Sequence, residues 1–567
     1  MPLIRNVRAA VILLAIVPLR LRAQHDTAEL VRRIDRIFAQ FDRSTPGCGV
    51  GLAADGRPIY LHGYGSANLE YGVPNTDSTV FESGSVAKQF TASAILLLVA
   101  DGKLRLDDDI RKYLPEVPPF GGQTITIRNL LTHTSGLRDQ WGLLGIEGRG
   151  PGQQVHTPMT TLDLVAHQKM LNFPPGSEYL YSNTGYALAG IIVERVSGMT
   201  LAEFSRTRLF EPLEMTHTQV RDDFTRVVPN RATAYAGSAA SGYHLDMPFT
   251  NMVGNGGVLS TMTDLIRWNE NLDHPVVGGP GYAAAMQTPM RLTNGRTINY
   301  ALGLIVSTYH GAREVSHSGS TAGYSTFLAR YPEQRLSVAV WCNQAGINAT
   351  ELAHAVVTPM LPQTNVADAP RARRVALAPA DLAKWSATYR DPHTDQVVGI
   401  AASDQTLSLQ QAGQAGQAGR GRAAVVLEPV GPARFQSSQG DMLFDGRPGR
   451  RRFTFIRADA DSSHFEEVHG APAVIPQADY LGVYASDELD ARYTIVARGN
   501  RLLLTRRPYQ EFDLRPVYAD DFQSGAGLGS LRFARDTRGQ VTGFSFYAGR
   551  VLDVRFTRVT RVTRVTP

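Results

Sequence analysis

Phe81-Glu82-Ser83-Gly84-Ser85-Val86-Ala87-Lys88-Gln89-Phe90 opens an apolar run that continues to Ala100 and stops at Gly102. That run predicts a helix over Ser85–Ala100. A serine and a lysine three residues apart then share one helix face, one turn from each other. An amine held beside a hydroxyl serves as its base once burial or a neighbouring charge lowers its pKa. At a helix amino end, free N–H groups also stabilise developing negative charge. A Ser-x-x-Lys pair occurs often by chance, so the reading depends on what lies elsewhere in the chain.

Two further stretches bear on it. Phe173-Pro174-Pro175-Gly176-Ser177-Glu178-Tyr179-Leu180-Tyr181-Ser182-Asn183 is a Pro-Gly turn that presents a phenol and an amide just before a helix over Thr184–Val196, with Gly198 past its end. Val315-Ser316-His317-Ser318-Gly319-Ser320-Thr321-Ala322-Gly323-Tyr324 lies on or beside a strand, and its small residues let another backbone approach closely. HExxH, GxSxG and phosphate-loop patterns do not occur in the chain. Gly49-Val50-Gly51-Leu52-Ala53-Ala54 precedes a hairpin turn rather than a helix, so it is not a dinucleotide fingerprint.

Ser85-x-x-Lys88, Tyr181-x-Asn183 and His317-x-Gly319, in this order, resemble the serine β-lactamase and penicillin-binding-protein superfamily. The pattern is most similar to the branch of class C β-lactamases, D-aminopeptidases, D,D-peptidases and related esterases. Asn129-Leu130-Leu131-Thr132-His133-Thr134-Ser135-Gly136-Leu137 and Gly256-Gly257-Val258-Leu259-Ser260-Thr261 support it, and the resemblance covers about residues 30–360. It implies an α/β fold in which a helical subdomain adjoins an antiparallel sheet flanked by helices. It implies that Ser85 is acylated, that Lys88 and Tyr181 share its proton, and that Asn183, His317 and Gly319 bind substrate. The N–H groups of Ser85 and Ser320 would form an oxyanion hole, and His133 would be structural. No metal or organic cofactor is implied. The family's β-lactamases carry lysine where this chain has His317, which has no permanent charge. That substitution resembles the aminopeptidase and esterase members. The implied activity is hydrolysis of small amides or peptides, including those with D-residues. An esterase or β-lactamase of the same fold, or a slow-turnover penicillin-binding sensor, stays open.

Composition agrees with a folded enzyme. The chain has 567 residues with 43% hydrophobic and 19% charged, unlike a disordered segment. Net charge is +5, yet the arginines are scattered, so nucleic acid is not an expected partner. A small molecule or peptide is expected instead, and oligomeric state is left open. Residues 1–23 read as an export signal, with Arg5 and Arg8 before an apolar run Ala9–Leu19 that is too short to cross a bilayer. No membrane span is expected after its removal, and the location would be periplasmic or secreted. Cys48 and Cys342 each border a strand-like run; a disulfide and two buried thiols are both compatible with that.

The remaining chain sets the domain layout. Gly49–Ala54 and Pro58–Tyr64 flank the hairpin signal Asp55-Gly56. Three strand-like runs follow at Ala301–Thr308, Ser325–Tyr331 and Leu336–Cys342, which suggests one sheet built from both ends of residues 24–365. Residues 366–377 read as a linker. Beyond them Trp385–Tyr389, Ile400, Leu407 and Leu409 recur as Tyr480–Tyr484, Ile495, Leu502 and Leu504, and Leu427-Glu428-Pro429-Val430 recurs as Leu514-Arg515-Pro516-Val517. The spacing change falls on the Gln411–Gly419 tract, read as a hairpin insertion. Two small lipocalin-like β-barrels are expected, at 378–460 and 475–567, with the Thr-Arg-Val repeats as the last strand and tail.

Overall fold

The computed structural model describes residues 28–279, 281–362, 373–411, 425–437, 439–457, 462–471, 474–506 and 510–560. The segment read as an export signal, most of the Gln411–Gly419 tract and the end of the Thr-Arg-Val tail lie outside them. The chain forms two compact units. One draws on residues up to 105, 189–289 and 300–365; the other on 106–188, 290–299 and 366 onward.

The first unit is built on six antiparallel strands: β1 (Cys48–Ala54), β2 (Arg57–Tyr64), β3 (Ile305–Tyr309), β4 (Ala312–Thr321), β5 (Tyr324–Tyr331) and β6 (Leu336–Cys342), in the order β3-β4-β5-β6-β1-β2. The expected sheet from both chain ends is therefore present, with β6 beside β1. Asp55 and Gly56 both have positive φ, 51° and 69°, the turn that matches strand twist. Helix α1 (28–38) places Ile34 and Phe38 on one face of the sheet. There they join Val50, Leu52, Val338 and Val340, with Ala353 and Val357 of the helix Ala349–Val357. Successive β1 side chains point to opposite faces, so Gly49 and Gly51 meet Met262 and Ile266 of the helix Met262–Asp273 on the other side. Strand β4 carries Val315–Thr321 of the stretch read as lying on or beside a strand, and adds a polar, glycine-rich member to the three apolar runs.

Cys48 and Cys342 stand directly opposite in the β1–β6 register and form a disulfide, closing the alternative left by the sequence.

In the second unit, two closed eight-stranded antiparallel barrels follow one another, Ala387–Val468 and Gly482–Thr560. The first closes with the strand Ser462–Val468, past the end expected from the sequence. The internal repeat is a repeat of register. Ile400 pairs with Leu409 and Leu407 with Leu427 in the first barrel; Ile495 pairs with Leu504 and Leu502 with Leu514 in the second. Tyr389 donates to the carbonyl of Trp385 at 2.9 Å, and Tyr484 does the same to Tyr480 at 2.8 Å. The second barrel's core includes Tyr484, Tyr493, Phe522, Phe544 and Phe556, together with Leu143, Leu144 and Ile146 of the helix Gln140–Glu147.

Candidate active site

The seven residues singled out by sequence fall in both units. Ser85, Lys88, His317, Gly319 and Ser320 belong to the first; Tyr181 and Asn183 belong to the second.

Phe81–Glu82 is a short buried strand whose carboxylate, Glu82, is gripped by Arg221 at 3.1 Å and Arg231 at 2.9 Å. This buried cluster fixes the entry to Ser85. Gly84 follows with φ 50°, and Gly84–Ala87 forms a 3₁₀ turn before α2 (Lys88–Ala100) begins. The uninterrupted helix expected from Ser85 is thus a tighter turn first. At three residues per turn, side chains i and i+3 eclipse, which brings Ser85 and Lys88 together more directly than an α-helix would. Lys88 Nζ is fully buried, 3.0 Å from Ser85 Oγ and 2.8 Å from the carbonyl of Asn255. Thr91 Oγ1 donates to the neighbouring carbonyl of Gly254 at 2.7 Å, holding the Asn255 loop against α2.

Strand β4 runs against this turn. A Cβ on Gly84 would lie 2.5 Å from Ser320 N, and one on Gly319 would lie 2.1 Å from Ser83 O and 2.9 Å from Ser85 N. Only glycine permits so close an approach, and it brings the main chain of Ser320 beside that of Ser85. Strand β3 pairs with β4 only as far as Ser316. His317–Thr321 therefore has β5 on one side and, among the described residues, no strand on the other.

The imidazole of His317 is buried and tethered. Nε2 lies 2.9 Å from Tyr300 Oη and Nδ1 lies 2.5 Å from the carbonyl of Ser318. A carbonyl only accepts, so Nδ1 carries the proton and Nε2 accepts from the phenol. Burial, reinforced by the charge of Lys88, holds this imidazole at about 3, far below its ordinary value. The ring is neutral at working pH and its two nitrogens are engaged, so what His317 offers a ligand is its place on the strand.

In the second unit, Tyr181 sits between the Pro174–Ser177 turn and the helix Asn183–Ser197. His133, with φ 58°, clamps this loop: its carbonyl accepts from Leu180 N at 3.0 Å, and its Nδ1 accepts from Ser182 N at 3.1 Å. Its ring lies 4.0 Å from that of Tyr181. This is the structural part read for His133 in the sequence. Asp139 Oδ2 accepts from Asn183 N at 2.7 Å and from Asn183 Nδ2 at 2.9 Å. Its Oδ1 accepts from Trp141 N at 3.0 Å, capping the helix Gln140–Glu147. One carboxylate thus orients the amide and joins two helix starts. The guanidinium of Arg550, from the last hairpin of the second barrel, lies 4.6 Å from the Tyr181 ring centroid.

Sequence reasoning missed Asp139, Asn255, Tyr300 and Arg550. Asp139 and Asn255 stand next to recognised motifs, at Gly136-Leu137 and Gly256-Gly257, and that adjacency was their signal. Tyr300 and Arg550 had none.

The Beta-lactamase family model matches residues 34–358, more than half of the chain. The chain belongs to the Beta-lactamase family. This Beta-lactamase family chain is similar over 91% of its length, at 26% identity, to a D-aminopeptidase of Brucella anthropi, covering 95% of that protein. It is 33% identical to penicillin-binding protein 4* of Bacillus subtilis (strain 168) over 52% of this chain and 68% of that protein. Among solved structures, the octameric penicillin-binding protein homologue from Pyrococcus abyssi shares the fold, with TM-score 0.54 and 23% identity, over 86% of this chain and 99% of that one.

Proposed function

We infer that this protein is an exported serine hydrolase that cleaves small amide or peptide bonds, including those of D-residues, through an acyl-enzyme on Ser85. The observation that carries this reading is the 3.0 Å contact between Ser85 Oγ and a fully buried Lys88 Nζ on a tight turn. Similarity to a D-aminopeptidase over nearly the whole chain supports the substrate class. The Cys48–Cys342 disulfide supports an oxidising compartment, and so export.

In this reading Ser85 Oγ attacks the substrate carbonyl carbon. Its proton passes to Lys88 and Tyr181, and from Tyr181 to the leaving nitrogen as the C–N bond breaks. The N–H groups of Ser85 and Ser320 receive the oxyanion, and β4 beyond Ser316 accepts the substrate backbone along its open edge. Asn183 holds the substrate amide, oriented by Asp139. His317 acts through β4, locking the strand by its bonds to Tyr300 and Ser318. Water then attacks the ester, the Oγ–C bond breaks, and the proton returns to Ser85.

A fluorophosphonate should add one mass increment to the peptide carrying Ser85 in the folded protein, and Ser85→Ala should abolish it. Lys88→Ala and Tyr181→Phe should each slow turnover by about 10²–10⁴-fold. A panel of D-amino-acid nitroanilides, nitrophenyl esters and a chromogenic cephalosporin separates amidase, esterase and β-lactamase. Failure of every acyl donor to modify Ser85 would overturn the reading.

A further inference from the structure

The last hairpin of the second barrel, Val541–Ala548 and Val551–Thr560, ends at Gly549-Arg550. Its main chain is fixed at several points to residues 138–172. Asn172 Nδ2 donates to the carbonyl of Arg550 at 2.9 Å, and Asn172 Oδ1 accepts from Leu552 N at 2.9 Å. Arg138 is wholly buried; it donates to the carbonyls of Leu552 and Asp553, each at 2.9 Å, and pairs with Glu488 at 2.6 Å. Gly142 comes so close to Val551 that a Cβ there would lie 2.5 Å from Val551 Cγ2. The backbone that carries Arg550 is therefore tethered at Arg550, Leu552 and Asp553.

Its side chain is held more loosely, by one long ion pair and one ring contact. The guanidinium rests on the Tyr181 ring but is 48% exposed, and the nearest carboxylate, Asp139, is 4.0 Å away with the facing oxygen already accepting from Asn183 twice. Among the described residues its N–H donors make no hydrogen bond to the protein. An arginine laid on an aromatic face, with its planar fork unspent, is preorganised for a carboxylate.

We propose that Arg550 reads a free carboxylate on the leaving group, so that the preferred substrates are peptides whose departing residue ends in a carboxylate rather than simple amides or alkyl esters. This rests on the reading above, in which Tyr181 protonates the leaving nitrogen: the group that departs past Tyr181 is the one that meets Arg550. The family's lysine position cannot serve this purpose here, because His317 is buried and neutral.

Binding tests this without turnover. Ser85→Ala protein is titrated by calorimetry with N-acetyl-D-Ala-D-Ala and with its carboxamide. The acid should bind more tightly than the amide. Adding Arg550→Gln or Arg550→Ala should weaken the acid by about 10–100-fold relative to the amide, with Arg550→Lys between. Equal loss for both probes would make Arg550 a support for Tyr181 and overturn the proposal. So would unchanged binding, or no measurable binding of the acid to the protein that keeps Arg550. Labelling of Ser85 is unaffected by these outcomes, so failure here is separable from failure of the hydrolase reading.

Discussion

At the residue scale, the candidate site depends on side chains that are absent as much as on those present. The room that Gly319 leaves is what allows β4 to lie against the Ser85 turn, because an added Cβ would stand 2.1 Å from Ser83 O. Gly319→Ala should cost about 1–3 kcal/mol of stability, as overpacking does. It should also slow fluorophosphonate labelling of Ser85, since relief requires the strand to back away. Thermal melts and labelling rates check both, and an unchanged labelling rate would show that β4 does not shape the reacting centre. Ser85, Lys88, Tyr181, Asn183, His317 and Gly319 stand out as candidates because their three motifs, in that order, resemble a known family; each motif alone is common. What was not legible is how each is held. The bond from Tyr300 to His317 and the hold of Asp139 on Asn183 depend on tertiary neighbours, and no local pattern announces them.

At the scale of elements, pairing register carries most of what the sequence disclosed. The Asp55-Gly56 turn, the apolar alternation and the barrel repeat were readable because each is a local or periodic signal. The repeat survived to the level of opposed side chains, Ile400–Leu409 and Ile495–Leu504. Strand β4 lacks the apolar alternation of its neighbours, and the stretch Val315–Tyr324 is placed on or beside a strand by its motif rather than by periodicity, because its polar and glycine content serves the site rather than the core. The pairing of Cys48 with Cys342 follows from the register of β1 and β6, which no count of two cysteines reveals. This disulfide ties together strands 294 residues apart in sequence. Cys48→Ser with Cys342→Ser should lower stability by about 2–4 kcal/mol under oxidising conditions. The variant and the wild type should converge once a reductant is added. Thiol titration of the denatured, unreduced protein should find no free cysteine, and two titratable thiols would contradict the pairing.

At the scale of the whole second unit, the seam between the barrels contains two buried carboxyls. Asp395 from the first barrel takes a hydrogen bond from Tyr518 at 2.9 Å and lies beside Asp521 of the second. Burial, then the charge of Asp395, pushes the carboxyl of Asp521 up to about 9. The folded protein thus keeps a proton that the unfolded chain gives up near its ordinary value of about 4. The stability this proton supplies is complete below about pH 4 and declines as the pH rises to about 9. Asp521→Asn should flatten that decline and leave the protein more stable than wild type at pH 8, as read from denaturant midpoints across the range. A variant whose stability falls as steeply as wild type would show that the proton resides elsewhere.

Leu143, Leu144 and Ile146 share one core with the second barrel, and Tyr493 donates to the carbonyl of Ile146 at 2.6 Å. A ribosome makes the helix Gln140–Glu147 more than three hundred residues before the strands that cover it. Before those strands emerge, Leu164 of the helix Pro158–His167 is the one other member of that core already made, so this part of the chain is completed last although it is translated early. Factors that shield nascent apolar surface would have this helix among their sites.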